Sequence, residues 1–323
     1  MIDAKVRIIS KIEELPEIES YNIFHSVELF QILKNTPGHR PYMVVAEDAN
    51  NHVVAHMLAS IRRRGSLIPP YFFTQGRIFG EGEYEDATQK EELFQLMIDA
   101  ITSKFKYKFC FYTEISDISK KMFGYRDLRR NGYFPISWQE VHNSLLVAPG
   151  NQLSPKTKKR IDQAYNKNVV VKEVTSTEEV KAFYKMLNRF YKSKPRRFVP
   201  AEQFFQESNK SNNCKIFLAM HNDKVIGGCL CAYSGEDAFL WYLASKRKSY
   251  KHLRPDYITV WHAIKKSYES GYRQISFLDV GLPYNKNRYR EFILGFGGEP
   301  VSKFRWFRFS LPWLNKLISW FVR

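Results

Sequence analysis

Cysteine, long apolar runs and acidic residues are scarce in this sequence, and each shortage excludes a class of protein. The four cysteines are Cys110, Cys214, Cys229 and Cys231. Cys229 and Cys231 stand two apart in a strand-like run and would point to one face, without the C-x-x-C spacing of zinc sites. His52 and His56 also lie in a strand-like run and would not converge on one ion. We therefore expect reduced core thiols and no metal site.

Long apolar runs are missing as well. No segment approaches the ~20 apolar residues of a membrane-spanning helix, and residues 1–18 have no apolar core of the length found in secretory signals. These two observations predict a cytoplasmic protein.

Acidic residues are outnumbered by basic ones. The chain has 33 Asp and Glu against 50 Lys and Arg, a formal net charge of +17. This surplus favours polyanionic partners such as RNA, anionic lipid headgroups or nucleotide-linked substrates; the alternative is a basic surface that only keeps the protein soluble. The charges are concentrated in four runs, which could contact phosphates without reading bases: Arg62–Arg64, Lys156–Arg160, Lys192–Arg197 and Lys246–Arg254.

An internal repeat is the main positive feature of the chain. Residues 43–46 and 53–55 predict a β-hairpin, and residues 216–219 and 225–228 predict another, because β-branched flanks enclose turns rich in Asn and Asp. With 323 residues and a hydrophobic fraction of 44%, the chain can bury two cores, in line with ~150 residues per domain.

The elements that follow each hairpin also correspond. Each half continues with an amphipathic helix, a buried strand, a short helix ending near a glycine and a last strand. We place them at 91–105, 108–112, 125–128 and 142–147 in the first half, and at 257–269, 274–279, 289–292 and 301–309 in the second. Gly271 is expected to cap its helix in the left-handed conformation. This order predicts an α/β (α+β) fold in two copies, each with a mixed, partly parallel central sheet flanked by helices.

Several segments of the second half carry a family resemblance. They are the basic helix Ser154-Pro-Lys-Thr-Lys-Lys-Arg-Ile-Asp-Gln-Ala164, the strand Trp241-Tyr242-Leu-Ala-Ser245, Gly271-Tyr272 and the closing Phe292-Ile-Leu-Gly-Phe-Gly-Gly298. These segments resemble the tandem-GNAT proteins of the Fem type, the nonribosomal aminoacyltransferases of peptidoglycan bridge synthesis, and the acetyltransferase-like proteins related to them. The resemblance runs from about Phe24 onward and is weaker before residue 150. No long charged helical hairpin is inserted, so the chain resembles the arm-less members.

The resemblance implies a division of the chain into three parts. Residues 1–150 would form a degenerate N-terminal GNAT-like domain, residues 151–310 a C-terminal GNAT-like domain, and residues 311–323 a basic, aromatic tail. Pro312 can open a helix there. One apolar face follows from the spacing of Trp313, Leu314, Leu317, Ile318 and Phe321. Such a helix could lie in a membrane interface or pack back onto the domain, and the sequence leaves both open.

The sequence departs from the family pattern in two places. GNAT acetyltransferases hold the CoA pyrophosphate on backbone N–H groups of a glycine-rich loop at a helix N-terminus, whereas the segment 245–255 here has no glycine. Its cations could still hold phosphate, but backbone binding of CoA is disfavoured. Ile293 stands where the family has a lysine, so substrate is positioned otherwise or activity has been lost.

The resemblance implies an enzyme that moves an aminoacyl group from aminoacyl-tRNA to the amine of a peptidoglycan or other cell-envelope precursor. The acceptor would be nucleotide-linked or lipid-linked, with the enzyme cytoplasmic or peripheral on the inner face of the membrane. No bound cofactor is expected beyond the co-substrate. One alternative is an N-acyltransferase using acyl-CoA or acyl carrier protein, and another is an inactive GNAT-like binding protein, which Ile293 favours.

Aminoacyl transfer needs a neutral attacking amine, an oriented ester and a donor to the developing oxyanion. Asp279 ends the central strand of the second half, where side chains enter the cleft of an open sheet, and would accept a proton or orient the amine. Tyr242 matches a tyrosine that contacts substrate in the family. A turn residue and a core tyrosine are the respective structural alternatives.

The remaining candidates would bind substrate. Arg196 and Arg197 offer guanidinium forks for phosphate, although a solvated charge run would look the same. Tyr284 and Asn285 lie in a loop that could close over the site. Lys34 and Glu114 match substrate positions of the family's N-terminal domain only loosely.

Overall fold

The computed structural model describes residues 4–67, 70–192, 198–278 and 280–321. The chain forms two compact units, the first made of Met1–Trp138 with Lys303–Arg323 and the second of Gln139–Ser302. The sequence places its domain changes at residues 150 and 310, and the compact units change at 138 and 302. Each unit is a sheet with helices packed on it, which confirms the α/β fold class.

The strands and helices are numbered in chain order. The strands are β1 Lys5–Ile9, β2 His39–Glu47, β3 Val53–Leu67, β4 Pro70–Phe79, β5 Glu83–Tyr84, β6 Tyr112–Ser116, β7 Phe134–Ser144, β8 Val170–Glu173, β9 Cys214–His221, β10 Lys224–Ser234, β11 Asp237–Ser245, β12 Gln274–Phe277 and β13 Glu299–Phe309. The α-helices are α1 Val27–Asn35, α2 Lys90–Tyr107, α3 Tyr125–Arg130, α4 Pro155–Tyr165, α5 Thr177–Tyr191, α6 Glu202–Lys210, α7 Pro255–Glu269, α8 Arg288–Leu294 and α9 Pro312–Phe321. No helix in the described ranges has the length and apolar character needed to cross a membrane.

The sheet of the first unit has the order β1-β2-β3-β4-β6-β13, with β5 beside β3. Its neighbours are antiparallel except for β4 and β6, which are parallel. The predicted helix 91–105 is confirmed as α2. Its apolar face is buried in the core of this unit through Leu93, Phe94, Met97, Ile98, Ile101 and Phe105.

The sheet of the second unit has the order β7-β12-β11-β10-β9-β8. Here β11 and β12 are parallel and the other neighbours are antiparallel. The predicted helix 257–269 is confirmed as α7, whose buried face includes Ile258, Val260, Ala263 and Ile264. Gly271 follows it with φ +83°, the left-handed cap expected from the sequence.

Both predicted hairpins are present. Asn222 and Asp223 turn between β9 and β10 with φ of 47° and 58°, which short polar side chains tolerate. In the turn between β2 and β3, Asn51 has φ 61°, and Asp48 Oδ1 accepts hydrogen bonds from the backbone N of Asn50 at 2.8 Å and of His52 at 2.9 Å. The Asn and Asp residues of the sequence pattern are the ones that form the turns.

The last strand of each repeat joins a different sheet from the rest of its repeat. Residues 141–144 of β7 pair with β12 in the second unit, and residues 306–309 of β13 pair with β6 in the first. Trp306 of β13 is fully buried in the first core. The matched order of elements in the sequence does not reveal this exchange, because strand pairing depends on contacts between distant segments.

Two predicted strands of the first half have the wrong limits. Residues 108–111 form a loop, and the strand predicted at 108–112 begins only at Tyr112. In this loop Phe109 has φ 51° and is 86% exposed while Cys110 is buried, so the apolar run encodes a turn between α2 and β6. The strand predicted at 142–147 ends at Ser144, and Leu146 is exposed.

All four cysteines are buried and none is in a disulfide, as expected for core thiols. Burial raises the pKa of Cys110 to about 12. The hydrogen bond with Cys231, together with burial, raises the pKa of Cys229 well above its usual value. The thiols of Cys110 and Cys229 are therefore protonated at neutral pH.

His25 is a buried imidazole in the first unit. Its Nδ1 lies 3.1 Å from the backbone N of Leu58 and its Nε2 lies 3.0 Å from that of Gly82. Burial, with a smaller contribution from His56, lowers the pKa of His25 to about 3. The native state therefore holds this ring neutral at pH values where the unfolded chain protonates it.

This shift predicts a specific acid sensitivity. The unfolded chain takes up the proton near pH 6.5, so the stabilisation is complete above that pH and is lost as the pH falls towards 3, at up to ~1.4 kcal/mol per pH unit. Between pH 7 and pH 5 the free energy of unfolding should fall by about 2 kcal/mol more in the wild type than in His25→Gln. Urea titrations at the two pH values measure this difference. The exposed His52→Gln should behave as wild type, and equal losses in His25→Gln and wild type would contradict the assignment.

Candidate active site in the second unit

The strands β11 and β12 separate part-way along the second sheet. They pair from Asp237–Leu240 with Gln274–Phe277, but β11 continues to Ser245 while β12 ends at Phe277. Trp241 is the extra residue of a β-bulge, since Leu240 pairs with Cys231 and Tyr242 pairs with Leu230 on β10. A bulge bends its strand. Among the described residues, 241–245 have no pairing with β12, so one edge of β11 is open over this part of the strand.

Two tyrosines lie at the unpaired segment 241–245, one on β11 itself and one at the end of α5. Tyr242 is 7% exposed, and its ring lies 5.4 Å from that of Phe205 and 6.0 Å from that of Trp241. Tyr191, the last residue of α5, donates a hydrogen bond from its hydroxyl to the backbone O of Leu243 at 3.0 Å. The sequence singles out Tyr242, but not Tyr191. The signal for Tyr191 was weak: an aromatic residue at the end of an amphipathic helix.

A basic pocket lies at the start of α4, the start of α7 and the loop between β11 and α7. Its volume is about 500 Å³. The cations that line it are Lys156, Arg160, Arg247, Lys248, Lys251, Arg254 and Arg288, and the acids are Asp256 and Glu291. Two of the basic runs predicted from the sequence, 156–160 and 246–254, thus converge on one site although about ninety residues separate them.

Close packing fixes the start of α4 at this pocket. Ser154 caps the helix by accepting a hydrogen bond from the backbone N of Thr157 at 3.3 Å, and its own N donates to the backbone O of Gly295 at 3.0 Å. A Cβ at Gly295 would lie 2.6 Å from Thr157 Oγ1, so a glycine is needed here. Ile293 is fully buried in the core, and the charge of the pocket comes from other positions.

Two of the cations are held in place by neighbours. The guanidinium of Arg160 lies 4.8 Å from the centre of the Tyr257 ring and donates to its hydroxyl. Arg254 Nε donates to Gln163 Oε1 at 3.2 Å. The other cations of the pocket are exposed on the loop and helix surfaces, where long side chains can follow a bound anion.

The N-terminus of α7 is not arranged to hold phosphate on its backbone. Pro255 occupies the first helical position and has no N–H. The backbone N of Tyr257 donates to Asp256 Oδ1 at 3.2 Å, so a carboxyl group fills the place of an anion. Burial raises the pKa of Asp256, partly opposed by that hydrogen bond and by Arg247. This geometry agrees with the expectation that backbone binding of a CoA pyrophosphate is disfavoured.

The other predicted site residues of the second unit are only partly described. Tyr284 is 84% exposed. The backbone O of Asn285 accepts from Arg290 Nη2 at 2.8 Å, and Arg290 Nη1 donates to Leu282 O at the same distance, which ties this loop to α8. Asp279, Arg196 and Arg197 lie outside the described residues.

Lys34 and Glu114 are held by contacts within the first unit. Lys34 Nζ donates to the backbone O of Ser10 at 3.1 Å. Glu114 is buried, with Oε1 2.5 Å from Arg77 Nη1 and 3.5 Å from Arg305 Nη1. Its Oε2 accepts from Gln75 Nε2 at 2.8 Å.

The first unit differs at both features of the candidate site. Its parallel strands β4 and β6 stay paired to their ends, Phe79 with Ser116. The loop after β4 contains Gly80, where a Cβ would lie 2.7 Å from His25 Nε2, and the buried acid Glu81. The carboxylate of Glu81 would repel a phosphate, and His25 occupies the space beside Gly80. The anion-binding features described here therefore belong to the second unit.

Comparisons with known proteins bear on the domain type of the second unit and on the fold. The family model of the acetyltransferase (GNAT) domain matches residues 155–289, which contain most of the basic pocket. No curated protein matches the sequence. Among solved structures, a crystal structure of FemX is 12% identical over 95% of this chain and 96% of that chain, with a TM-score of 0.63.

Two further structures are similar at the same level. A tandem GNAT protein from the clavulanic acid biosynthesis pathway is 10% identical over 88% of each chain, with a TM-score of 0.57. L-PGS from Bacillus licheniformis is 13% identical over 90% of this chain and 91% of that chain, with a TM-score of 0.57. The fold is that of a tandem GNAT protein, as the resemblance of the sequence implied. The match over residues 155–289 places an acyltransferase domain of the GNAT type in the second unit.

Proposed function

We propose that this acyltransferase is of the Fem type and moves an aminoacyl group from aminoacyl-tRNA to the amine of a peptidoglycan or other cell-envelope precursor. The observation that carries the proposal is the basic pocket. Its positive charge comes from side chains, because at the start of α7 Pro255 has no N–H and the N–H of Tyr257 is bonded to Asp256. RNA presents a row of separate phosphates, and flexible Lys and Arg side chains bind such a row without a fixed backbone loop. The pyrophosphate of CoA is instead typically bound by backbone N–H groups of a fixed loop at a helix N-terminus.

The charge of the pocket supports a polyanionic donor. Among the described residues, seven cations and two acids line it. Guanidinium groups bind phosphate in bidentate fashion and ammonium groups bind it as mobile point charges. Arg196 and Arg197 are proposed as further phosphate ligands from the sequence alone.

The open edge of β11 is proposed as the place of reaction. The neutral amine of the acceptor attacks the ester carbonyl, the C–N bond forms, the ester C–O bond breaks, and the proton of the amine goes to the leaving 3′ oxygen of the RNA. In an antiparallel strand the N–H and C=O of one residue point to the same side. Because the C=O of Leu243 accepts from Tyr191, the N–H of Leu243 points to the same side of the strand, and we propose it as the oxyanion donor.

Asp279 and Tyr242 keep the roles that the sequence suggests for them in this proposal. Asp279 would accept the amine proton or orient the amine. Tyr242 would contact substrate at the cleft wall, next to Trp241 and Phe205. Tyr284 and Asn285, on the loop tied to α8 by Arg290, would close over the acceptor.

An N-acyltransferase that uses acyl-CoA or acyl carrier protein is the second candidate. The match of residues 155–289 to an acetyltransferase domain favours it. A phosphopantetheine arm can lie along an open strand edge without a pyrophosphate loop, so the Pro255–Asp256 start of α7 weakens this candidate less for a carrier protein than for CoA.

Transfer assays with different donors test the proposal. We expect label from aminoacyl-tRNA to appear on a nucleotide-linked muropeptide. The apparent affinity for tRNA should fall steeply with salt, because each phosphate contact releases counterions. Transfer from acyl-CoA or acyl carrier protein, with none from any aminoacyl-tRNA, would favour the second candidate. Binding of tRNA with no transfer from any donor would instead identify an inactive binding protein.

A further inference from the structure

Two exposed aromatic segments meet at one end of the first unit, and neither takes part in the candidate active site. They are the helix α9 and the loop 108–111. The backbone N of Ser310 donates to Phe111 O at 3.0 Å, and Ser310 Oγ donates to Cys110 O. The ring of Phe309 lies 5.8 Å from that of Phe111. The start of α9 is therefore attached to this loop.

The helix α9 is held by a polar residue while its apolar side chains stay exposed. Asn315 Oδ1 accepts from Phe309 N at 2.9 Å, and Asn315 Nδ2 donates to Gly132 O at 2.9 Å. Trp313 is 64% exposed and Trp320 is 68% exposed. Leu317 and Phe321 are exposed as well. An exposed apolar face of this extent on a fixed helix is typical of a binding surface.

Phe109 extends the same surface from a different element. Its left-handed backbone, with φ 51°, is unfavourable for phenylalanine, and its ring is 86% exposed. The turn is held by hydrogen bonds from Thr74 Oγ1 to Phe109 O at 3.0 Å and from Cys110 N to Phe105 O at 3.1 Å. The fold thus maintains an unfavourable backbone conformation while leaving a large apolar ring in solvent.

The segments that meet here are basic and contain no acid. Residues 62–67, 70–75, 104–112 and 308–321 include eight Lys and Arg and no Asp or Glu. They converge because Arg63 pairs with Thr74 between β3 and β4, and Phe111 N donates to Thr74 O at 2.8 Å. Exposed aromatic rings on segments that carry cations and no acid are complementary to an apolar layer beneath anionic groups.

We propose that this end of the first unit, formed by α9 and the loop 108–111, docks the protein on the surface of an anionic lipid bilayer. The side chains of Trp313, Trp320 and Phe109 enter the boundary between headgroups and acyl chains, where aromatic residues are favoured. The surrounding cations pair with anionic headgroups. A nucleic acid would use these cations but would leave Leu317 and Phe321 uncovered, whereas a bilayer uses both. The proposal concerns the first unit and stands whichever acyl donor the second unit uses.

Flotation of the full-length chain with vesicles tests the proposal. The wild type should float with vesicles of equal parts phosphatidylglycerol and phosphatidylcholine, and much less with phosphatidylcholine alone. Trp313→Ser combined with Trp320→Ser should reduce the vesicle affinity by about tenfold or more. Tyr21→Ser removes another exposed aromatic of the first unit, at 79% exposure, and should leave the affinity unchanged.

Phe109→Gly gives a second, independent variant. Glycine adopts the left-handed conformation without strain, so the thermal unfolding temperature should stay the same or rise while the vesicle affinity falls severalfold. Transfer activity towards a soluble acceptor should be unchanged in both variants, which separates failure of docking from failure of the proposed function.

Three results would overturn the proposal. The first is a wild type that does not float with anionic vesicles, and the second is a double tryptophan variant that floats as well as wild type. The third is a wild type that binds no vesicles but forms a dimer or binds RNA, with the double tryptophan variant losing that dimer or that RNA binding. That result would identify a second copy of the chain or a nucleic acid as the partner of this surface.

Discussion

Replacing Arg247 and Lys251 together by alanine is expected to lower kcat/KM for the aminoacyl-tRNA donor by about a hundredfold, because two charge-assisted phosphate contacts are removed. Both residues line the basic pocket and lie on the loop between β11 and α7. Most of the change should appear in KM, since these side chains grip phosphates at a distance from the reacting carbonyl. Steady-state kinetics over a range of tRNA concentrations measure both constants.

A second measurement shows whether the lost contacts are to phosphates. The slope of log affinity against log salt concentration should become shallower by about two in the double variant, one for each removed contact. Lys158→Ala with Lys159→Ala is the matched control, because it removes the same charge from α4 at exposed positions outside the pocket lining. An equal loss in the control would assign the effect to overall charge and would contradict the pocket as the donor site.

The regular elements of the fold follow from local sequence patterns. The face of α2 from Leu93 to Phe105 and the Asn222–Asp223 turn are encoded by side chains within a few residues of each other, so periodicity and turn chemistry locate them. The loop around Phe109 was missed because an apolar run of four residues is consistent with either a buried strand or a tight turn. The burial of Cys110 and the change of chain direction after α2 favour the turn. Both depend on contacts with distant parts of the chain, so these residues alone do not reveal them.

The candidate site was predictable in composition but not in geometry. The glycine-free segment 245–255 already disfavours backbone binding of CoA. The structure adds that, at the start of α7, Pro255 has no N–H and Asp256 accepts the hydrogen bond from the N of Tyr257. Two features of the site depend on packing between elements far apart in the chain. They are the convergence of this segment with α4 and the hydrogen bond from Tyr191 to Leu243. A single sequence contains no signal for such contacts beyond residue type.

Glu114→Gln is expected to lower the free energy of unfolding of the first unit by about 3–5 kcal/mol, the usual loss when one partner of a buried ion pair is removed. The carboxylate lies between Arg77 and Arg305, whose side chains are 17% and 9% exposed. Glutamine keeps the shape but removes the carboxylate that both guanidinium groups contact in a poorly solvated place, while Arg77 keeps the more distant Asp117, whose Oδ2 lies 3.8 Å from its Nη2. Urea denaturation of the full-length chain, followed by tryptophan fluorescence, measures the difference, since Trp306 belongs to this core.

Removing one of the two cations separates charge balance from packing. In Glu114→Gln combined with Arg305→Met, part of the stability should return, and the non-additivity gives the coupling between the two groups. Glu17→Gln removes an exposed acid from the same unit and should change stability by less than about 0.5 kcal/mol. If Glu114 instead binds substrate, as its loose match to the family's N-terminal domain suggests, Glu114→Gln would raise KM and leave the unfolding transition in place. A large loss of stability with KM unchanged in the folded fraction would identify Glu114 as a residue that holds the first unit together.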